Sequence, residues 1–155
     1  MKADALHPKL FFLGRLLIGG MFIYSGVSNL LDINSTLGYA ASKSMTGIFS
    51  ILVILSQIVL ILAGLSFITA IHPKLGAYAT ILFLVPVTLV MHNFWASTGM
   101  ERIVELHSFQ GNISLLGATL MFLVIPEPWH YSLHDRFVGL LSRSNKPSNL
   151  PNANK

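Results

Sequence analysis

Apolar residues fall in four long blocks, Leu10–Leu31, Ile48–Ile71, Leu75–Trp95 and His107–Ile125, separated by short polar stretches. Each block holds ~19 to 24 residues, and about 20 helical residues span the hydrocarbon core of a bilayer. Backbone amides cannot stay unpaired in lipid, so each block must be helical. The pattern predicts an all-α chain, an integral membrane four-helix bundle. Local stop signals divide the blocks: Asp32 and Asn34 after the first, Gly47 before the second, and His72-Pro73 between the second and third. That last turn is tight and makes the second and third spans an antiparallel hairpin. Pro86 lies inside the third span and should bend it, because proline removes one backbone donor.

The first block follows Lys2 and Lys9, as a signal peptide's apolar stretch would. It is too long for one and no small-residue cleavage site follows, so it reads as a retained helix. Basic residues near the span ends set the orientation. Lys2, Lys9, Arg15, Lys74, Arg136, Arg143, Lys146 and Lys155 fall on one side, and Lys43 and Arg102 on the other, eight against two. The asymmetry predicts both termini in the cytoplasm. Trp95 then marks the outer interface, and Trp129 with Tyr131 the inner one. Residues 1–130 form the membrane domain and 131–155 a polar, basic cytoplasmic tail. The stretch Ser142–Lys155, rich in Ser, Asn, Pro and Lys, is expected to be mobile and solvated.

Composition sharpens this picture. Of 155 residues, 53% are hydrophobic and 10% charged, too little charge to cover a soluble domain of this size. With no cysteine, disulfides, thiolate nucleophiles and Cys-ligated metals are excluded. The formal charge of +4 sits at chain ends and between spans, where anionic lipid head groups are the partners and nucleic acid is not.

Polar residues inside spans are expensive, so each needs a reason. Arg15, Gly19, Phe22, Gly26 and Asn29 recur at spacings of three and four along one stripe of the first span. Arg15 is expected to extend its guanidinium to the inner surface, and the glycines to mark close helix contacts. Gln57 reads as an interhelical hydrogen bond. In the fourth span His107, Gln110, Ser114 and Gly117 share a face, while Asn112 projects from another side.

His92 lies ~26 Å up the third span, at about 1.5 Å per residue. Asn29 ends the first span on that side, and Gln110 and Asn112 begin the fourth there. Polar side chains from three spans therefore share one depth, with Trp95 beside them. His92, Glu105 and His107 match no metal-ligand spacing, and no serine stands out as a nucleophile. A structural role for His92 at the interface stands beside a ligand-binding one.

Arg15 in "LGRLLIGGMFIYSGVSNL", His92 and Trp95 in "MHNFWASTG", and Asn112 with Gly117 in "FQGNISLLGATL" together resemble the DoxX family of small bacterial inner-membrane proteins. The resemblance runs from about Leu10 to Ile125. Asn29 and Gly111 stand where members often carry lysine, which leaves His92 as the main titratable group at that depth. The family name derives from a subunit associated with thiosulfate:quinone oxidoreduction, and other members are linked to redox or sulfur-stress systems. The resemblance implies a multi-pass protein of the bacterial inner membrane, supporting a redox or stress-response system. Its expected ligand is a small hydrophobic molecule such as a quinone, held by His92, Asn112, Asn29, Gln110 and Trp95. With no catalytic motif and no resident cofactor or metal in view, an accessory role beside a redox-protein partner, in an oligomer or alone, is expected rather than an independent enzyme. The alternative is a structural or assembly subunit without a ligand. Four helices lacking an inverted repeat argue against a transporter.

Overall fold

The structure is a computed structural model that describes residues 6–133. Five α-helices account for most of it: α1 (Leu6–Leu31), α2 (Ile33–Ser42), α3 (Ile48–Thr69), α4 (Pro73–Pro86) and α5 (Gly99–Val124). A π-helical turn, Val87–Met91, and a 3-10 turn, Phe94–Ala96, lie between α4 and α5. Helices α1 and α3 pack together, α4 packs on α3, α5 packs on α4, and α2 touches both α1 and α3. The expected tail from Ser142 onward lies outside the described residues.

The expected spans map onto α1, α3, α4 and α5, with α2 as an addition. Asp32, expected to stop the first span, also starts the next helix, since its carboxylate accepts from the Ser35 amide at 3.3 Å. That is an N-cap, and it satisfies one of the free donors of the first turn. Helix α5 begins at Gly99, eight residues before the apolar block, because the polar stretch ahead of His107 is itself helical.

Three helical stretches are long and apolar enough to cross a membrane: His7–Leu31, Ile48–Thr69 and Pro73–Ala96. Helix α5 has the length, with 26 residues, but is not among them. Glu101, Arg102, Glu105, His107 and Gln110 dilute its first half. Large apolar side chains face outward along the three apolar stretches, among them Leu17, Leu62 and Leu82. Such faces suit a lipid solvent rather than water.

The tightest packing joins α1 and α3. A Cβ at Gly26 would lie 2.6 Å from Ile61 Cγ1 and 2.8 Å from the Gln57 carbonyl, so only glycine fits. Gly19 meets Gly64 in the same way one level away. Close backbone approach is how helices associate where lipid supplies no hydrophobic drive. Gly117, where the small residue on a polar stripe leads one to expect a close helix contact as at Gly26, makes none, for a Cβ there would meet nothing within 4 Å.

At one end, aromatic rings tie α1, α3 and α5 together. Phe67 and Phe122 stack edge-on at 4.8 Å, and Trp129 packs on Phe11 at 5.1 Å and on Phe122 at 5.3 Å. Trp129 is only 2% exposed, so it belongs to the core and not to an interfacial belt. Arg15 is likewise inside and does not reach outward. Its guanidinium donates to the carbonyls of Phe67 and Ile68, both at 2.8 Å, and to that of His130 at 2.6 Å. The first two belong to the last turn of α3, whose carbonyls have no helical partner. Phe11, Phe12 and Trp129 surround the cation at 5.4 to 5.7 Å.

The opposite end is looser. Helices α3 and α4 meet closely at their turn, where Gly76 fits under Ser66, and part towards the other end. Pro86 contributes, since it has no N–H for the carbonyl four residues back and α-helical geometry gives way to the π turn.

Candidate functional site: a cavity beside a short helix

The gap between α3 and α4 is a cavity of about 620 Å³. The ends of α1 and α2 close one side of it, and the π turn the other. Leu52, Val53, Leu82, Phe83, Val87 and Val90 supply apolar walls. Asn29, Gln57, Thr36, Tyr39 and His92 supply polar groups. Leu52 is 50% exposed and Leu82 77%, so the cavity opens through the outward faces of α3 and α4.

Two polar constellations border it. In the first, Asn29 on α1 donates to Gln57 Oε1 on α3 at 2.9 Å. Gln57 in turn donates to the Val53 carbonyl at 3.2 Å and to Ser56 Oγ at 3.1 Å. Gln57 is thus the interhelical hydrogen bond that its sequence position suggests.

The second constellation centres on Glu105 of α5, which is 4% exposed. Lys43, the residue that ends α2, holds its Oε1 at 2.8 Å, and His92 Nδ1 lies 2.9 Å from its Oε2. The Tyr39 hydroxyl sits 3.0 and 3.1 Å from the two carboxylate oxygens, 2.9 Å from the Met91 carbonyl and 3.3 Å from His92 Nδ1. Lys43 also reaches Glu101 at 3.3 Å. Tyr39 and Lys43 are four apart, hence on one face of α2, which the cluster fastens to α5 and the π turn.

Charge follows from these contacts. Burial works against ionisation of Glu105, but hydrogen bonds from Lys43, His92 and Tyr39 outweigh it and hold the carboxyl below its ordinary range. Lys43 is raised, chiefly by its hydrogen bond to Glu105 and against the effect of burial. Burial and the Glu105 carboxylate push the Tyr39 hydroxyl well above its ordinary value, so it remains a donor.

The five residues singled out in the sequence separate in space. His92 and Asn29 line the cavity; Gln110, Asn112 and Trp95 do not. Gln110 and Asn112 lie farther along α5, with Gln110 exposed and Asn112 half-buried. Trp95 packs edge-on against Phe94 at 5.2 Å and Phe109 at 6.0 Å. Tyr39 was not among those singled out, Lys43 entered only the charge asymmetry, and Glu105 was weighed only as a metal ligand. The Asp32 cap followed by a Tyr–Lys pair at helical spacing was the available signal for α2. Among the described residues, no group of three or more His, Cys, Asp or Glu side chains could hold a metal ion.

No curated protein and no solved structure matches the chain. The DoxX family model matches residues 10–93, from α1 through the π turn to the residue after His92, and so includes every residue that lines the cavity. The chain belongs to the DoxX family.

Proposed function

We propose that this protein binds a small hydrophobic molecule with a polar ring head, a quinone being the first candidate, in the cavity between α3 and α4. The observation that carries the reading is the cavity itself. About 620 Å³ falls within the few hundred to a thousand cubic ångströms typical of ligand pockets. Apolar walls with a few convergent polar groups suit an amphipathic ligand, and the lipid-facing mouth suits one that arrives through the bilayer. His92 and Asn29 sit where they would hydrogen-bond the head group. Asn112 and Gln110 on α5, and Trp95 in the 3-10 turn, stand outside the cavity lining and have no part in this reading.

In this reading the chain is a multi-pass protein of the bacterial inner membrane, with α1, α3, α4 and α5 crossing and both termini cytoplasmic. The hairpin end, with Arg15 and Lys74, then faces the cytoplasm, and α2 and the Glu105 cluster face outward. Its role is to support a redox or stress-response system beside a partner protein.

Purification in mild detergent followed by mass spectrometry of extracted small molecules tests the binding reading. Parent protein should carry a quinone or similar molecule, and Val53→Phe, which fills the cavity, should not. His92→Ala should bind more weakly by about 1–3 kcal/mol, measured per folded molecule. A second reading is favoured by the mutual satisfaction of the polar groups. Asn29 with Gln57, and His92 with Glu105, Tyr39 and Lys43, would lock the helices of a ligand-free assembly subunit. That reading gains if His92→Ala lowers the melting temperature and no ligand is extracted from either protein.

A further inference from the structure

His92 presents its two ring nitrogens to different surroundings. Nδ1 is 2.9 Å from the Glu105 carboxylate, an acceptor without a proton of its own while ionised. A hydrogen bond there requires the proton on Nδ1. In the neutral imidazole the other nitrogen, Nε2, then carries a lone pair. His92 lines the cavity, and among the described residues its Nε2 makes no hydrogen bond to the protein. The tautomer is therefore set by a residue outside the cavity lining, in the way that an outer carboxylate sets a metal-bound histidine.

We propose that Glu105 positions His92 as a hydrogen-bond acceptor, so that the cavity selects a ligand whose ring head carries a hydroxyl, a phenol or hydroquinone, over one with only carbonyl oxygens. The inference rests on the cavity being the binding site and names the ligand class within it. A ring hydroxyl donates to Nε2, whereas a quinone carbonyl in the same place sets one lone pair against another. Lys43 makes the arrangement specific. It only donates, and it holds Glu105 Oε1 at 2.8 Å, which leaves Oε2 for His92. Tyr39 adds a donor to the same carboxylate and, like it, faces Nδ1 rather than competing for Nε2.

The same geometry predicts the effect of Glu105→Gln. Lys43 would keep the amide oxygen at the Oε1 position, so the amide nitrogen would face Nδ1 and donate to it. Nδ1 would then accept, Nε2 would carry the proton, and the preference would swing towards carbonyl ligands.

The test uses a decyl-substituted benzoquinol and the matching benzoquinone as probes, under anaerobic conditions and at one pH throughout. Parent protein should bind the quinol roughly tenfold more tightly, the scale of one mismatched hydrogen bond. In Glu105→Gln the ratio should fall to about one or reverse. Nitrogen-15 spectra of the His92 ring, identified by its loss in His92→Gln, should show the proton on Nδ1 in the parent. Equal affinities in the parent, or a proton on Nε2, overturn the inference and leave the cavity as a binding site. If neither probe binds, the binding reading itself fails, and the inference with it. Should Glu105→Gln not fold, the parent's affinity ratio and spectrum decide the matter alone.

Discussion

Arg15 shows how much one side chain can organise. It is fully buried and joins the last turn of α3 to the segment after α5 through three carbonyls. Replacing it with Met would leave those acceptors without their cationic donor, at a cost of about 3 kcal/mol or more. Arg15→Lys keeps the charge but cannot reach three acceptors with one nitrogen in a forked geometry. Both variants should melt below the parent in detergent, Met the lower of the two. Equal melting would mean that the carbonyls find other donors.

Glu105 and Lys43 make a second residue-scale prediction. The depressed carboxyl contributes stability above its unfolded value of about 4.3, lost as pH falls through its lower folded value. The raised ammonium contributes below its unfolded value of about 10.4, lost as pH rises through its higher folded value. Hydrogen exchange of α2 amides should therefore report a constant attachment free energy between about pH 5 and pH 10. Attachment should weaken only in stronger acid or stronger base. A break inside that window would take control of α2 away from this pair.

Among the elements, α1, α3 and the α3–α4 turn were legible because length, apolarity and stop residues agreed. Helix α2 was not, since Asp32 and Asn34 carry turn chemistry whether they end one helix or cap the next. The start of α5 was hidden for a related reason: Glu101 to Leu106 is polar enough to read as a loop, yet it continues the helix. That shift of eight residues, about 12 Å of helix, moved the site. It carried Gln110 and Asn112 away from the level of His92 and brought Glu105 there. Asn29 kept its place because α1 matches its span, and His92 kept its level although α4 ends at Pro86 and a π turn carries the chain on to it.

The glycines separate two kinds of helix contact. Gly26→Leu should cost about 1–3 kcal/mol or more, because the side chain would overlap Ile61 and the α3 backbone. Gly117→Leu should melt like the parent as a monomer, since open space surrounds that position. Thermal unfolding of both in one detergent checks the contrast. A Gly117→Leu protein that is destabilised only when oligomeric would show that another chain covers that face of α5.

For the whole molecule, two ends with different characters follow from the packing. The Arg15 end is closed by aromatic rings, and the other end is held by polar clusters around a cavity. If the basic-residue asymmetry governs insertion, a cysteine placed at Lys74 in this cysteine-free chain should resist an impermeant thiol reagent in intact cells. One at Ser42 should react, and the reverse pattern would invert the orientation. The central claim is that the cavity between α3 and α4 is where a ring-headed ligand sits. Photolabelling with an azido-quinone, mapped by peptide mass spectrometry, tests it most directly. Label should fall on residues 52–57 and 82–92, be competed by excess unmodified quinol and be absent in Val53→Phe. Label spread along the outward faces of the helices, or unchanged by competitor and by Val53→Phe, would contradict it.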